Sequence, residues 1–219
     1  MKEFFKKIFS KESMKKFFYS FVWLMVLIFV ADIVTKWSFV NYFGGHTPSE
    51  ANQIQIIHNF LYINLSFNQG MAWSLLSGDT GQIVLACVSF VLGGGLIFYY
   101  VKYYSQMKTP VKIAIALMIA GAIGNLIDRS FYWKSITGNE SGVIDWIQVY
   151  FGSVDHAHAF PTFNIADSAL VIGVIILLVV VIIEAIQDAR KNAKEGKFKY
   201  SPKELKEAEE AKNEENKDK

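Results

Sequence analysis

Long apolar segments alternate with polar stretches along the chain. Four of them approach the length of a membrane span, at about residues 17–35, 82–101, 111–127 and 165–186. A helix needs about 20 mainly apolar residues to cross the hydrocarbon core of a bilayer. The first segment follows lysines, as a signal peptide would, but no small-residue cleavage site comes after it, so we treat it as a retained helix. The pattern predicts a mainly α integral membrane protein with four transmembrane helices.

The connection between the first two spans has a different period. The stretch IQIIHNFLYINLSF, residues 54–67, alternates apolar and polar positions over part of its length. Such alternation is typical of paired β-strands, in which successive side chains point to opposite faces. A small amount of β-structure is therefore expected between the first and second helices.

Positive charge is concentrated on one side of the predicted bundle. Six lysines precede the first span, and Lys102, Lys108 and Lys112 lie between the second and third spans. Lysine and arginine mark cytoplasmic connections, so both termini are predicted to be cytoplasmic. Residues 1–188 would form the membrane domain. Residues 189–219 are charged and lack apolar periodicity, which indicates a disordered cytoplasmic tail.

Polar residues near the membrane collect on the opposite, non-cytoplasmic side. Asp145 stands between Ile144 and Trp146, and Asp167 opens the most apolar of the four spans. An unpaired carboxylate is costly in such surroundings, so these two are the strongest candidates for chemistry. Further polar residues are expected at the same depth, namely Asp32, Lys36, Asn125, Asp128, Arg129 and Asn164.

Two neighbouring carboxylates form an acid–base pair. Repulsion between like charges raises the pKa of one of them, so that the pair shares a proton. The protonated group can then polarise a peptide carbonyl while the other activates water. Asp145 and Asp167 therefore predict aspartic-protease chemistry that needs neither a metal nor a covalent intermediate.

The remaining charged pairs have structural interpretations. Asp32 and Lys36 are four residues apart on a helix and can stabilise each other. Asp128 and Arg129 can form an ion pair at a helix end. Gly93–Gly95 in the second span is interpreted as a site of close helix packing. The single cysteine, Cys87, is expected to be a buried apolar side chain.

Other chemistries have weaker support. The sequence contains neither HExxH nor GxxxxGK[ST], the motifs of one class of zinc protease and of nucleotide-binding loops. His156 and His158 are weak evidence for zinc, and a Ser130–Lys134 dyad is a minor alternative. The net charge of +2 and the lack of a basic aromatic stripe indicate no nucleic-acid partner.

Five short motifs occur in the order in which a known family carries them. They are DIVTK at 32–36, NLSFNQGMAWSLLSG at 64–78, GAIGNLIDR at 121–129, GVIDWI at 142–147 and FNIADSAL at 163–170. In these motifs the chain resembles the lipoprotein signal peptidases, or signal peptidase II, a family of bacterial membrane aspartyl proteases. The resemblance covers roughly residues 17–188. It implies a small extracytoplasmic β-like cradle between helices 1 and 2.

The resemblance also implies which residues form the site. The family's catalytic pair falls on Asp145 and Asp167, with no metal and no other cofactor. Its substrate-binding and supporting residues fall on Asn68, Gly70, Asn125, Asp128, Arg129, Asn164, Asp32 and Lys36.

The implied function is an endopeptidase that removes the signal peptide from diacylglyceryl-modified prolipoproteins, cutting just before the lipid-modified cysteine. The implied partners are these substrates and membrane lipid, and the protein would be a monomer. It would lie in the bacterial cytoplasmic (inner) membrane with its active site on the extracytoplasmic side. Two rival classes stay open. A proton-coupled carrier predicts acids spread through the membrane depth, and a scaffold gives no reason for carboxylates at apolar outer positions.

Overall fold

The computed structural model describes residues 20–49, 52–68, 78–130, 142–151 and 159–194, with only the backbone of 78–80. Four helices dominate these residues: α1 at Val22–Tyr42, α2 at Gly78–Tyr103, α3 at Thr109–Ser130 and α4 at Ile165–Lys194. All four are long and apolar enough to cross a membrane. The predicted mainly α, four-span fold is confirmed, and the chain is a multi-pass membrane protein.

All four helices end later than predicted, and α1 and α4 do so by about two turns. Helix α1 continues to Tyr42 rather than ending near residue 35, so Asp32 and Lys36 lie within it. Helix α4 continues to Lys194 rather than ending near residue 186. Its last two turns are rich in alanine, glutamine, lysine and arginine, which favour helix. Hydropathy alone therefore underestimates these two lengths.

A three-stranded antiparallel sheet accompanies the helices. Strand β1 spans Ile54–Ile57, β2 spans Leu61–Asn68 and β3 spans Val143–Val149, in the order β1-β2-β3. The first two strands confirm the expected β-structure between α1 and α2. The third comes from the connection between α3 and α4, which the sequence did not predict as a strand. It places Asp145 opposite Ser66 of the central strand.

A short segment returns along the free edge of β3 before α4 begins. Ile147 pairs with Phe163 and Tyr150 pairs with Ala159, both in antiparallel orientation. Residues 159–163, which we call the return segment, lead directly into Asn164 and the first turn of α4. The strand that carries Asp145 and the helix that carries Asp167 are therefore joined by backbone pairing.

Small residues hold α3 and α4 at backbone distance. A Cβ atom at Gly121 would stand 2.3 Å from the carbonyl oxygen of Ala166, and one at Gly173 would stand 2.6 Å from that of Ala114. The expectation that Gly93–Gly95 provides the close packing is wrong for its last two residues, because a Cβ at Gly94 or Gly95 meets nothing within 4 Å.

The predicted burial of Cys87 is also wrong, since its side chain is exposed on the outside of α2. In a membrane helix an apolar side chain can face lipid as readily as a protein core. An apolar segment therefore does not identify which of its side chains are inside the protein.

The chain divides into two compact units, Met1–Leu177 and Leu178–Lys219. All the strands and all the predicted site residues belong to the first unit. Within that unit Val40, Leu65 and Ile144 form a buried apolar cluster that joins α1 to β2 and β3. The division of function between residues 1–188 and a disordered tail stays a prediction.

Candidate active site

Asp145 lies in the middle of β3 and is 2% exposed. Its Oδ1 accepts a hydrogen bond from Asn164 Nδ2 at 2.7 Å, and its Oδ2 accepts one from Asn68 Nδ2 at 3.1 Å. Burial, and then the nearby Asp167 carboxylate, raise the pKa of Asp145 well above its ordinary value, although the two asparagine donors partly offset this. Asp145 is therefore suited to carry a proton at a pH where most aspartates are ionised.

Asp167 lies in the first turn of α4, where it forms a reciprocal cap with Asn164. Its backbone N–H donates to Asn164 Oδ1 at 2.8 Å, and its Oδ2 accepts from the Asn164 N–H at 3.3 Å. Such a capping box satisfies two backbone donors that the helix leaves unpaired. Asn125 Nδ2 of α3 donates to Asp167 Oδ1 at 2.6 Å. The carboxylate is thus oriented by two helices.

Asn164 connects the two aspartates. It is fully buried, and its Nδ2, which donates to Asp145, also lies 3.1 Å from Asn125 Oδ1 and 3.3 Å from the Ile144 carbonyl oxygen. Its Oδ1 serves the cap of Asp167. One residue therefore contacts both carboxyl groups, that of Asp145 through its side chain and that of Asp167 through its backbone N–H.

Lys36 occupies a second buried centre behind this pair. Its Nζ lies 2.6 Å from Asp32 Oδ2 and 2.7 Å from Asp128 Oδ2, and it donates to Asn125 Oδ1 at 3.3 Å. The predicted pairing of Asp32 with Lys36 is present. For Asp128, however, the ion partner is Lys36 and not the expected Arg129. Two opposite charges brought from distant helices can pair in this way, which sequence adjacency does not indicate.

The two acids on Lys36 also hold backbone groups. Asp32 Oδ1 accepts from the Ala166 N–H at 2.9 Å, in the first turn of α4. Asp128 Oδ2 accepts from the Ile144 N–H at 3.2 Å, next to Asp145. The lysine centre therefore fixes both elements that carry the aspartates.

A cavity of about 640 Å³ lies between α2, α3 and α4 and ends at Asp167. Its polar end is formed by Asn125, Arg129 and Asp167. Arg129 is half-buried, and its Nε has no hydrogen-bond partner within the described part of the chain. The rest of the lining is mostly apolar and includes Val91, Leu92, Leu96, Met118 and Leu170. The arrangement suits a molecule with a polar group at one end and an apolar body.

Most of the predicted site residues come together here. Asp32, Lys36, Asn68, Asn125, Asp128, Asp145, Asn164 and Asp167 form one connected set of hydrogen bonds and ion pairs. Arg129 lines the adjoining cavity. Gly70, Lys134, His156 and His158 lie outside the described residues. Within those residues, no three acidic, histidine or cysteine side chains are grouped so that they could hold a metal ion.

Some residues of the site were not predicted from the sequence. Gly124 leaves room for Asp32, since a Cβ there would stand 2.7 Å from Asp32 Oδ2. Gln148 is buried beside the return segment and contacts Thr162. The β-branched residues of VIDWIQV were the available signal for a strand at Asp145. Nothing local in the sequence indicated the roles of Gly124 and Gln148.

The chain is similar to known proteins over most of its length. A profile of the family described as signal peptidase (SPase) II matches residues 24–183. A lipoprotein signal peptidase of Geobacillus kaustophilus (strain HTA426) is 34% identical over 160 residues, which are 73% of this chain and 91% of that relative. One of Listeria monocytogenes serotype 4a (strain HCC23) is 33% identical over 165 residues, or 75% of this chain and 94% of the relative.

Two solved structures of bacterial membrane enzymes, both obtained by the in meso method, are also similar. The one at 2.3 Å resolution is 27% identical, with a TM-score of 0.56, and the match covers 82% of this chain and 93% of the other. The one at 1.9 Å resolution is 31% identical, with a TM-score of 0.53, and the match covers 73% and 90%.

Proposed function

The chain belongs to the signal peptidase II family and removes signal peptides from prolipoproteins; we propose that it does so as an aspartic endopeptidase with Asp145 and Asp167 as the catalytic pair. The observation that carries this proposal is the shared contact with Asn164, which donates to Asp145 and caps the helix turn of Asp167. Asn164 contacts both carboxyl groups, that of Asp145 through its side-chain amide and that of Asp167 through its backbone N–H, which supports treating the two as one coupled acid–base pair.

The proposed reaction uses one protonated and one ionised carboxyl group. The ionised group takes a proton from water, whose oxygen attacks the scissile carbonyl carbon, while the protonated group gives its proton to the carbonyl oxygen. The resulting tetrahedral diol then collapses: the group that activated water gives its new proton to the amine nitrogen as the C–N bond breaks, and a diol hydroxyl returns a proton to the other group. The products are the carboxyl end of the signal peptide and the free amino group of the lipid-modified cysteine, and the pair again holds one proton.

The environments of the two aspartates support different roles for them. Asp145 is buried and has a raised pKa, which supports it as the carrier of the proton. Asp167 is half-buried at the end of the cavity, where water and substrate can reach it. Asp167 is therefore the group that we assign to water activation.

The cavity supports a lipid-bearing substrate. Its apolar lining leads to Asn125, Arg129 and Asp167, so that a diacylglyceryl group can remain among apolar side chains while the peptide bond meets the polar end. The five N–H donors of Arg129 suit peptide carbonyl oxygens, and its charge would offset that of the pair. Asn68 is exposed at the end of β2 and donates to Asp145 Oδ2. We assign it to contact with the peptide next to Asp145, while Arg129 contacts the peptide next to Asp167.

The location of the site supports the proposed orientation. Asp32 is at the centre of α1 and Lys36 is one turn closer to its end. Asn125 and Asp128 are near the end of α3, and Asp167 is near the start of α4. Lys102, Lys108 and Lys112 are near the other ends of α2 and α3. By the positive-inside rule we assign the lysines to the cytoplasm and the site to the extracytoplasmic face of the bacterial inner membrane. The enzyme is proposed to act as a monomer without a cofactor.

The test is cleavage of a diacylglyceryl-modified prolipoprotein by purified protein in lipid, with EDTA present throughout. Asp145→Asn and Asp167→Asn should each lower the rate by at least about 10²-fold, because general acid–base catalysis contributes about 10²–10⁴-fold. Asp188→Asn is the matched control, since it makes the same change at an exposed position of α4. Wild-type turnover by either site variant would contradict the catalytic pair, and loss of wild-type activity in EDTA would contradict a metal-free reaction.

A further inference from the structure

We propose that Gln148 is a positioning residue, which fixes the register of the return segment on β3 and thereby the separation of Asp145 from Asp167. The inference rests on the proposed catalytic pair. Asp145 is three residues before Gln148 on β3, and Asp167 is four residues after the end of the return segment at Phe163. A slip of the return segment along β3 would therefore change the distance between the two carboxyl groups.

The backbone pairing between β3 and the return segment is irregular. Ile147 and Phe163 exchange N–H···O bonds of 2.8 and 3.0 Å, whereas further along the Phe160 N–H donates to the Val149 carbonyl oxygen at 2.8 Å. From the first of the two pairs to the second, the chain advances three residues along β3 and just past its end, from Ile147 to Tyr150, whereas the return segment spans four, from Phe163 back to Ala159. The return segment thus carries one extra residue relative to its partner, as in a β-bulge.

The part of the return segment that carries the extra residue contains a proline. Pro161 has no N–H to donate to β3. Fewer backbone hydrogen bonds are therefore available here to fix how the return segment aligns with β3. Two registers that differ by one residue meet within five residues, at Ala159 and at Phe163. Backbone pairing alone therefore specifies the register weakly at this point.

Gln148 supplies the missing specification. Its Nε2 donates to the Phe160 carbonyl oxygen, and its Oε1 accepts from Thr162 Oγ1 at 2.8 Å. These partners flank Pro161 on both sides. The side chain is 6% exposed, so a register in which either bond is lost would leave a buried amide group unpaired, which is costly.

The consequence for catalysis follows from the geometry of a strand. A slip of one residue moves the return segment by about 3.3 Å along β3. A misplacement of about 1 Å can cost about 10²-fold in rate. Gln148 need not touch substrate to have this effect. Alternation along β3 directs its side chain to the face opposite Asp145, so it acts through the backbone.

The first test measures register without reference to activity. The variant Tyr150→Cys/Ala159→Cys, made in a Cys87→Ser background, should form a disulfide readily. Antiparallel partners have Cα atoms about 4.5–5.5 Å apart, which is within disulfide reach. Adding Gln148→Met should lower the yield of this disulfide and raise that of the pair at Tyr150 and Phe160. Unchanged yields would overturn the proposal, whether or not the catalytic pair is correctly assigned.

The second test measures kinetics. Gln148→Met, which nearly keeps the volume, should lower kcat by about 10- to 100-fold with KM within about twofold. Thr162→Val should have a smaller effect, and the double variant should be no worse than Gln148→Met alone. Tyr150→Phe is the matched control, since it removes a hydrogen bond of 3.3 Å from the residue after β3 to Gln53 but leaves the return segment alone.

The outcomes of the kinetic test are distinct. A wild-type kcat in Gln148→Met would contradict the positioning role. A fall in kcat that matches the fall in thermal stability, and that Tyr150→Phe reproduces, would mean that Gln148 stabilises the fold generally. If Asp145→Asn and Asp167→Asn both retain activity, the catalytic assignment fails instead, and the disulfide yields still decide whether Gln148 sets the register.

Discussion

Asn164 Nδ2 lies 2.7 Å from Asp145 Oδ1, which joins the N-cap of α4 to the middle of β3. The same residue accepts the Asp167 N–H. It therefore has two separable functions, a cap that stabilises the helix and a donor that orients a carboxyl group.

Replacing Asn164 should separate these functions. Asn164→Ser keeps an oxygen that can cap α4 but removes the Nδ2 amide that reaches Asp145, whereas Asn164→Ala loses both groups. Both variants should lose about 10²-fold in cleavage rate, because the Asp145 carboxyl group loses its orientation. Only Asn164→Ala should also lose about 1 kcal/mol of stability. Rates and thermal unfolding in the same detergent would measure this, and an active Asn164→Ser enzyme would contradict the orienting role.

The pH dependence should report the raised pKa of Asp145. A carboxyl group whose pKa is higher in the folded than in the unfolded protein stabilises the fold at low pH, and this contribution is lost as pH rises through the folded pKa. Thermal stability should therefore fall with increasing pH over a range that begins near about 3.9, the ordinary pKa of aspartate, and extends up to the raised pKa of Asp145. Asp145→Asn, which stays neutral, should show a flatter curve.

The cleavage rate should also fall with increasing pH on the alkaline side of its pH profile. Once both carboxyl groups are ionised, neither can protonate the scissile carbonyl, so the rate should fall as pH rises past the raised pKa of Asp145. A rate measured from acid to alkaline pH would show this limb. An alkaline limb at the ordinary pKa of aspartate would contradict the assignment of the proton to Asp145.

Lys36 should be essential to stability. It is 1% exposed and lies between Asp32 and Asp128, so Lys36→Met would leave two buried acids without their counter-ion. Removing one partner of a buried ion pair costs about 3–5 kcal/mol. The matched control is Lys102→Met at an exposed position near the end of α2. Thermal unfolding of the two variants should differ clearly, and equal stabilities would contradict a structural role for the lysine centre.

Two glycine substitutions should have opposite effects. Gly121→Ala would bring a methyl group against the Ala166 carbonyl oxygen and force α3 away from α4, at a cost of about 1–3 kcal/mol. Gly94→Ala meets open space and should be neutral or stabilise α2 by up to about 1 kcal/mol. Thermal unfolding gives both values. Cleavage should fall in Gly121→Ala only, because the start of α4 carries Asp167.

Much of this site could be predicted because burial in the membrane makes each charge conspicuous. The apolar neighbours of Asp145 and Asp167 are enough to make them candidates without any family resemblance. Their surroundings could not be read in the same way. The pairing of Lys36 with Asp128 joins residues 92 positions apart, and the contact of Asp32 with Ala166 joins residues 134 apart.

Local sequence is sufficient to predict the four apolar helices, the first two strands and the costly carboxylates, because hydropathy, strand alternation and the cost of a charge near lipid are properties of a single segment. Four features follow only from the fold: the third strand at Val143–Val149, the close approach at Gly121 and Gly124, the outward-facing Cys87 and the contact of Gln148 with the return segment. Each of these depends on which distant segments meet. Pairing and close packing are relations between segments, and the pattern within one segment does not contain them.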